Sequence, residues 1–155
     1  MRRPGPQAVA AGFTLVEVLV ALVVLAVGML GIAGLYVESL KAGRTSIYRT
    51  TAVSLAADMA DRIRANPAAP GSYAGAGPGS DAFACVNGID PCNGDQMAQD
   101  DWFRWNEALQ ARLPQGAAAD IAVEAVGSLT QYTITLQWPE AGQAEPASYT
   151  LVMQQ

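Results

Sequence analysis

The chain has 155 residues, 51% of them hydrophobic, and nine basic against fourteen acidic side chains give it a formal net charge of −5. That balance lacks the clustered Lys and Arg that a general phosphate-binding surface needs, which argues against nucleic acid as a partner. Histidine is absent and the two cysteines are Cys85 and Cys92, so the usual zinc sites and every Ser-His or Cys-His nucleophile arrangement are excluded.

The first segment, 1–12, carries Arg2 and Arg3 and ends in Ala10-Ala11-Gly12, directly ahead of an apolar stretch from Phe13 to Val37. No charge interrupts Val18 to Val37, a run long enough for a helix to cross a hydrocarbon core roughly 30 Å thick. A secretory signal places its small-residue cleavage site beyond the apolar stretch. Here the order is changed: a cut after Gly12 would remove the basic leader, keep the membrane helix and make the chain more acidic. Glu17 is the one charge in the stretch. A carboxylate at membrane depth costs about 2.5–3.5 kcal/mol on insertion scales, so such a residue has a partner or a task, unless it snorkels from the helix end to the interface. Lys41, Arg44 and Arg49 beyond the stretch balance Arg2 and Arg3 before it, so the positive-inside rule gives no clean orientation. Gly28, Gly31 and Gly34 recur at every third position, as small residues do where membrane helices pack closely.

No proline or turn cluster appears before Asn66-Pro67, so the helix is expected to continue over 38–66 as an amphipathic extension. Ala52, Leu55, Ala56, Met59 and Ile63 fall on one face, and Asp58 with Arg62 and Asp61 with Arg64 fall on the other. From 67 to 99 the chain is dense in Gly and Pro and reads as a long irregular connection. Cys85 and Cys92 close its distal part either as a short structural disulfide, given an oxidising compartment, or as two free thiols. The spacing is not C-x-x-C and nothing nearby is basic, which favours the bridge. Asp81, Asp90, Asp95, Asp100 and Asp101 cluster around it and offer the oxygen ligands calcium prefers, but the spacing is not that of an EF-hand and acidic loops are usually just solvated. No metal ligand and no cofactor is assigned.

A short helix is expected over 100–113, capped by Asp100 or Asp101, with Trp102, Trp105, Leu109 and Leu113 on one face and Pro114 and Gly116 ending it. Helical spacing makes the tryptophans core residues sooner than an adhesive patch. Strands are expected at Ile121 to Val126, Gln131 to Trp138 and Ser148 to Gln154. The second alternates cleanly, and the third breaks its alternation at Val152. The 67–155 segment therefore reads as one head with an antiparallel sheet covered by the long helix, an α+β fold.

Gly12-Phe13-Thr14-Leu15-Val16-Glu17, followed by the apolar run, resembles the prepilin signature of type IV pilins and type II secretion pseudopilins. The resemblance implies a membrane-embedded prepilin peptidase that cuts after Gly12 and methylates the new terminus at Phe13. It also makes Glu17 the acidic assembly residue at the fifth mature position. A free amine at Phe13 has a reference pKa near 8 and is cationic at neutral pH, so it suits a neighbour's carboxylate inside lipid. The same resemblance places the leader in the cytoplasm, the chain as a single pass in the inner membrane, the head in the periplasm and the final location in the pilus. It adds that helix around Gly28 to Gly34 melts locally on entering a filament.

Along the stem, Gly28-Met29-Leu30-Gly31-Ile32-Ala33-Gly34-Leu35 and Asp58-Met59-Ala60-Asp61-Arg62-Ile63-Arg64-Ala65-Asn66 are similar to the minor-pilin family PilV, the type IV pilus modification proteins. Major pilins bracket a C-terminal loop with their disulfide, whereas both cysteines here lie earlier. The implied function is priming of pilus assembly and a place in the tip complex, with twitching motility and adhesion dependent on it. The implied partners are other minor pilins, the major pilin, prepilin peptidase, the inner-membrane assembly machinery and a tip adhesin. Competing readings are a minor pseudopilin of type II secretion and a permanently anchored periplasmic binding domain that keeps Arg2 and Arg3. An enzyme has the least support, since no paired carboxylates, metal cluster or phosphate-cradling G-x-x-x-x-G-K-[ST] stands out.

Overall fold

The computed structural model describes residues 12–86, 88 and 91–155; the leader up to residue 11, with Arg2 and Arg3, lies outside the described residues, as does Asp90. A single helix, α1, runs from Leu15 to Ala65 over 51 residues. A 3-10 turn at Pro70–Tyr73 follows, then α2 at Gly94–Arg112, and strands β1 (Ala118–Val126), β2 (Leu129–Trp138) and β3 (Ala147–Gln154). The chain divides after Lys41 into two units, and α1 contributes to both.

In the first unit α1 is exposed along its length: Leu30 and Leu35 are 74% and 73% exposed, and among the described residues no side chain from Leu15 to Lys41 is buried. Apolar side chains on every side of a helix require an apolar surrounding, lipid or other helices.

The second unit has a core built from one face of each element. Ala52, Leu55, Ala56, Met59, Ala60 and Ile63 of α1 are buried at three- and four-residue intervals, as their spacing predicts. They form one cluster with Trp102, Trp105 and Leu109 of α2 and with Ile121, Tyr132, Ile134, Leu136 and Trp138 of the sheet. The sheet is antiparallel in the order β1-β2-β3, with Ile121 opposite Ile134 and Ile134 opposite Leu151. Alternation decides the faces: every second residue of β2 from Tyr132 to Trp138 is buried. The result is the α+β arrangement expected from the sequence, a long N-terminal helix followed by a three-stranded antiparallel sheet.

Helix α2 starts six residues ahead of the expected 100, and neither Asp100 nor Asp101 caps it. Asn93 does: its side chain accepts from the Gln96 N–H at 2.9 Å while the Gln96 side chain accepts from the Asn93 N–H at 3.0 Å. This reciprocal cap satisfies two backbone donors at once, which a lone aspartate later in the chain does not. Asp100 and Asp101 instead lie inside α2, both buried. The connection ahead of α2 docks closely at Gly79: a Cβ there would lie 2.6 Å from both Phe103 N and the Trp102 Cβ, and its φ of 79° is a conformation that glycine adopts without strain.

Candidate functional site

The N-terminal end of α1 is organised by Thr14. Its hydroxyl accepts the Glu17 N–H at 3.3 Å and its carbonyl accepts the Val18 N–H at 3.3 Å, so Thr14 is the N-cap and Glu17 lies at the third helical position. The pattern Thr-x-x-Glu ahead of an apolar run is a capping signature visible in the sequence, and reading Glu17 for its charge alone passes over it. The cap sits just after Gly12 and Phe13. Phe13 is 82% exposed, and Gly12 is exposed with open space where a side chain would project.

Phe13, Glu17, Ala21 and Leu25 repeat every fourth residue and, with Val18 and Leu22, line one shallow apolar groove along the helix. Glu17 is exposed at its upper end, and among the described residues its carboxylate makes no hydrogen bond or ion pair. A carboxylate in the first turn is favoured by the positive end of the helix dipole, by about 0.3–1 kcal/mol. That is small against the membrane cost of about 2.5–3.5 kcal/mol, so the dipole offsets only part of it. Gly28, Gly31 and Gly34 are helical here, and nothing lies within 4 Å of where their side chains would begin. Among the described residues no contact requires them to be glycine.

The second unit holds its parts together with polar links. Arg62 of α1 reaches both Asp58 at 3.1 Å and Asp101 of α2 at 3.0 Å. Tyr73 is fully buried; its hydroxyl donates to Asp101 at 2.7 Å, and burial first, then this hydrogen bond to Asp101, raises its pKa far above the ordinary tyrosine value. Asn66 donates to the Gly94 carbonyl at 2.7 Å and so joins the ends of α1 and α2. The Trp102 indole donates to the Tyr73 carbonyl at 3.0 Å and the Trp105 indole to the Leu55 carbonyl at 2.8 Å. Both tryptophans are therefore core anchors with satisfied N–H groups and form no exposed patch. Asp61 with Arg64 at 2.9 Å stays on the exposed helix surface, as expected.

Cys85 and Cys92 are joined in a disulfide, with Cα atoms 5.6 Å apart. Among the described residues no group of three or more His, Cys, Asp or Glu side chains converges on a metal-sized site. The buried acids Asp100 and Asp101 are engaged by Arg104 and by Arg62 with Tyr73.

Two family models match the chain. One, described as a prokaryotic N-terminal methylation motif, covers residues 8–33 and so includes Gly12, Phe13 and Glu17. The other, described as type IV pilin Tt1218, covers residues 34–103, from the later part of α1 through the disulfide into α2. No curated protein and no solved structure matches it. The two matched segments adjoin without overlap, and they span the methylation motif, the apolar helix and the disulfide; together they support a type IV pilin of the prepilin superfamily, processed by prepilin peptidase.

Proposed function

We propose that this pilin is a minor subunit of the PilV kind, which joins other minor pilins in the complex that primes pilus assembly and remains at the tip. Prepilin peptidase cuts between Gly12 and Phe13 and the Phe13 amine is methylated. Before assembly the chain passes once through the inner membrane with its head in the periplasm. In the filament, Glu17 of one subunit accepts the charged amine of its neighbour, and twitching motility and adhesion depend on the subunit being present. The position of the disulfide, at Cys85 and Cys92 ahead of α2, supports a minor subunit over a major one.

The observation that carries this reading is the solitary charge at Glu17 on a helix whose side chains are otherwise apolar and exposed as far as Val37, immediately behind the methylation motif. A secretion pseudopilin would share the motif, whereas the match over 34–103 is to a type IV pilin.

The deciding experiment is the intact mass and amino-terminal sequence of the protein recovered from membranes and from sheared pili. A methylated Phe13 start in the pilus fraction is the expected result. An unprocessed Met1 start in cells with active prepilin peptidase would overturn the assembly role of Glu17 and leave a fixed membrane anchor.

A further inference from the structure

The two edges of the sheet are treated differently. On the outer side of β1, Gly75 pairs with Ile121 through two backbone bonds of 2.9 Å, and β1 carries Asp120 and Glu124. A paired segment and charges are the devices by which natural sheets block further strand pairing. Among the described residues the opposite edge has neither. The sequence of β3, Ala-Ser-Tyr-Thr-Leu-Val-Met-Gln, contains no charge and no proline, and its pairing with β2 runs from Ala147 to Gln154 without a bulge.

The register says which of its groups are free. Thr130 and Gln155 exchange two backbone bonds, at 2.9 and 3.0 Å. Bonded and non-bonded pairs alternate in an antiparallel ladder, so Met153, Leu151, Tyr149 and Ala147 also point their backbone groups at β2. Ser148, Thr150, Val152 and Gln154 therefore direct their N–H and C=O groups outward. All four residues are exposed, and among the described residues no backbone group outside the strand bonds to them. Val152, the residue that breaks the alternation of β3, is 54% exposed on this edge. On the core side Tyr149 and Leu151 are only half-buried, which leaves an apolar ledge beside the free ladder.

We infer that β3 is a strand-addition site, and that its occupant is an extended, uncharged strand supplied by a different protein of the same assembly. Free ladder groups take an extended backbone, and the neutral edge and the ledge at Tyr149 and Leu151 suit a strand with alternating apolar side chains on the core side. The source of the strand, another member of the pilus, rests on the proposed function; the pairing itself rests on the edge.

The test uses the full chain in host cells. Val152→Pro removes an outward N–H that the fold does not use, at a position where an edge strand accepts proline. The expected result is an unchanged melting temperature with at least about a tenfold loss from the pilus fraction, while Val152→Thr, which keeps the N–H, enters normally. Thr150→Lys places a charge on the edge without altering the backbone and should behave like Val152→Pro, which covers the case in which the proline variant fails to fold. In wild-type protein, amide exchange at Ser148, Thr150, Val152 and Gln154 should slow by about a hundredfold between detergent-solubilised subunit and assembled material. Normal entry of folded Val152→Pro or Thr150→Lys, or equal exchange in both states, would overturn the inference. Protection already present in detergent, with a dimer mass by light scattering, would assign the edge to a second copy and overturn the partner named here. Absence of wild-type protein from sheared pili would overturn the pilus reading alone. The same exchange comparison on the complex extracted from membranes would then decide the edge, protection supporting it and free exchange overturning it.

Discussion

One helix, α1, is read by two different environments. From Leu15 to Lys41 it exposes apolar side chains on all sides, and from Ala52 to Ile63 it buries a single stripe beneath α2 and the sheet. The backbone is the same; the distribution of polar residues around the axis differs. Where polar residues are excluded the helix needs lipid or other helices, and past Glu38, where they return, it becomes one wall of the head, with Asp58, Asp61, Arg62 and Arg64 away from its buried stripe. Stability of the head and insertion of the first unit should therefore respond to different substitutions.

The largest effect on that contrast is expected from Trp105→Ala. Trp105 is fully buried, packs edge-on to Trp102 at 5.4 Å and donates to Leu55, so truncation should cost the head about 3–5 kcal/mol in denaturant unfolding. Membrane fractionation of the same variant should be unchanged; loss of insertion would show that the two regions are not separable. Replacing Cys85 and Cys92 together by serine opens a bridge between residues seven apart, and about 2–3 kcal/mol should be lost under oxidising conditions. An identical unfolding midpoint with and without reductant would show that the bridge does not form in the protein.

Tyr73→Phe removes a buried donor and leaves Asp101 with Arg62, at an expected cost of about 1–2 kcal/mol. The wild-type head should also carry a pH signature. Because the folded pKa of Tyr73 is raised, its contribution is complete below the unfolded value of 10.0 and is lost as pH rises above it. Tyr73→Phe should flatten that part of the alkaline fall, and an unchanged profile would refute the assignment. The smallest effect on head stability is expected from Glu17→Ala, within about 0.5 kcal/mol, since it touches nothing in the core. On the proposed function its effect falls on assembly, and normal piliation and motility in that variant would count against the proposed role of Glu17.

Much of this contrast is legible in the sequence because it is periodic. The stripe Ala52, Leu55, Ala56, Met59, Ile63 and the alternation from Gln131 to Trp138 each state their own buried face. The start of α2 is less legible, since Asn93-Gly94 reads equally as a turn and as a cap; Gln96, completing the reciprocal bonds, decides for the cap. What periodicity does not carry is pairing across the chain. Asp101 looks like a helix cap or a loop acid in one dimension, and only folding brings it to Arg62, 39 positions earlier, and to Tyr73. The two edges of the sheet are likewise invisible until strand order and register are known. At the N-terminal end the residues of the motif were all legible, but the bond from the Glu17 N–H to Thr14 was hidden behind the charge of the same residue.

That bond bears on the timing of filament entry. The cap that holds the first turn of α1 belongs to Thr14, downstream of the proposed cut between Gly12 and Phe13. Precursor and processed subunit would then share the same first turn, and removal of the leader would leave the shape of the helix as it was. What would change is the charge beside it, where a cationic amine would replace a neutral peptide bond one turn from the Glu17 carboxylate. On the proposed cut, processing would act as a licence that leaves conformation alone: the first turn would already be built in the precursor, and only the freed amine would be new.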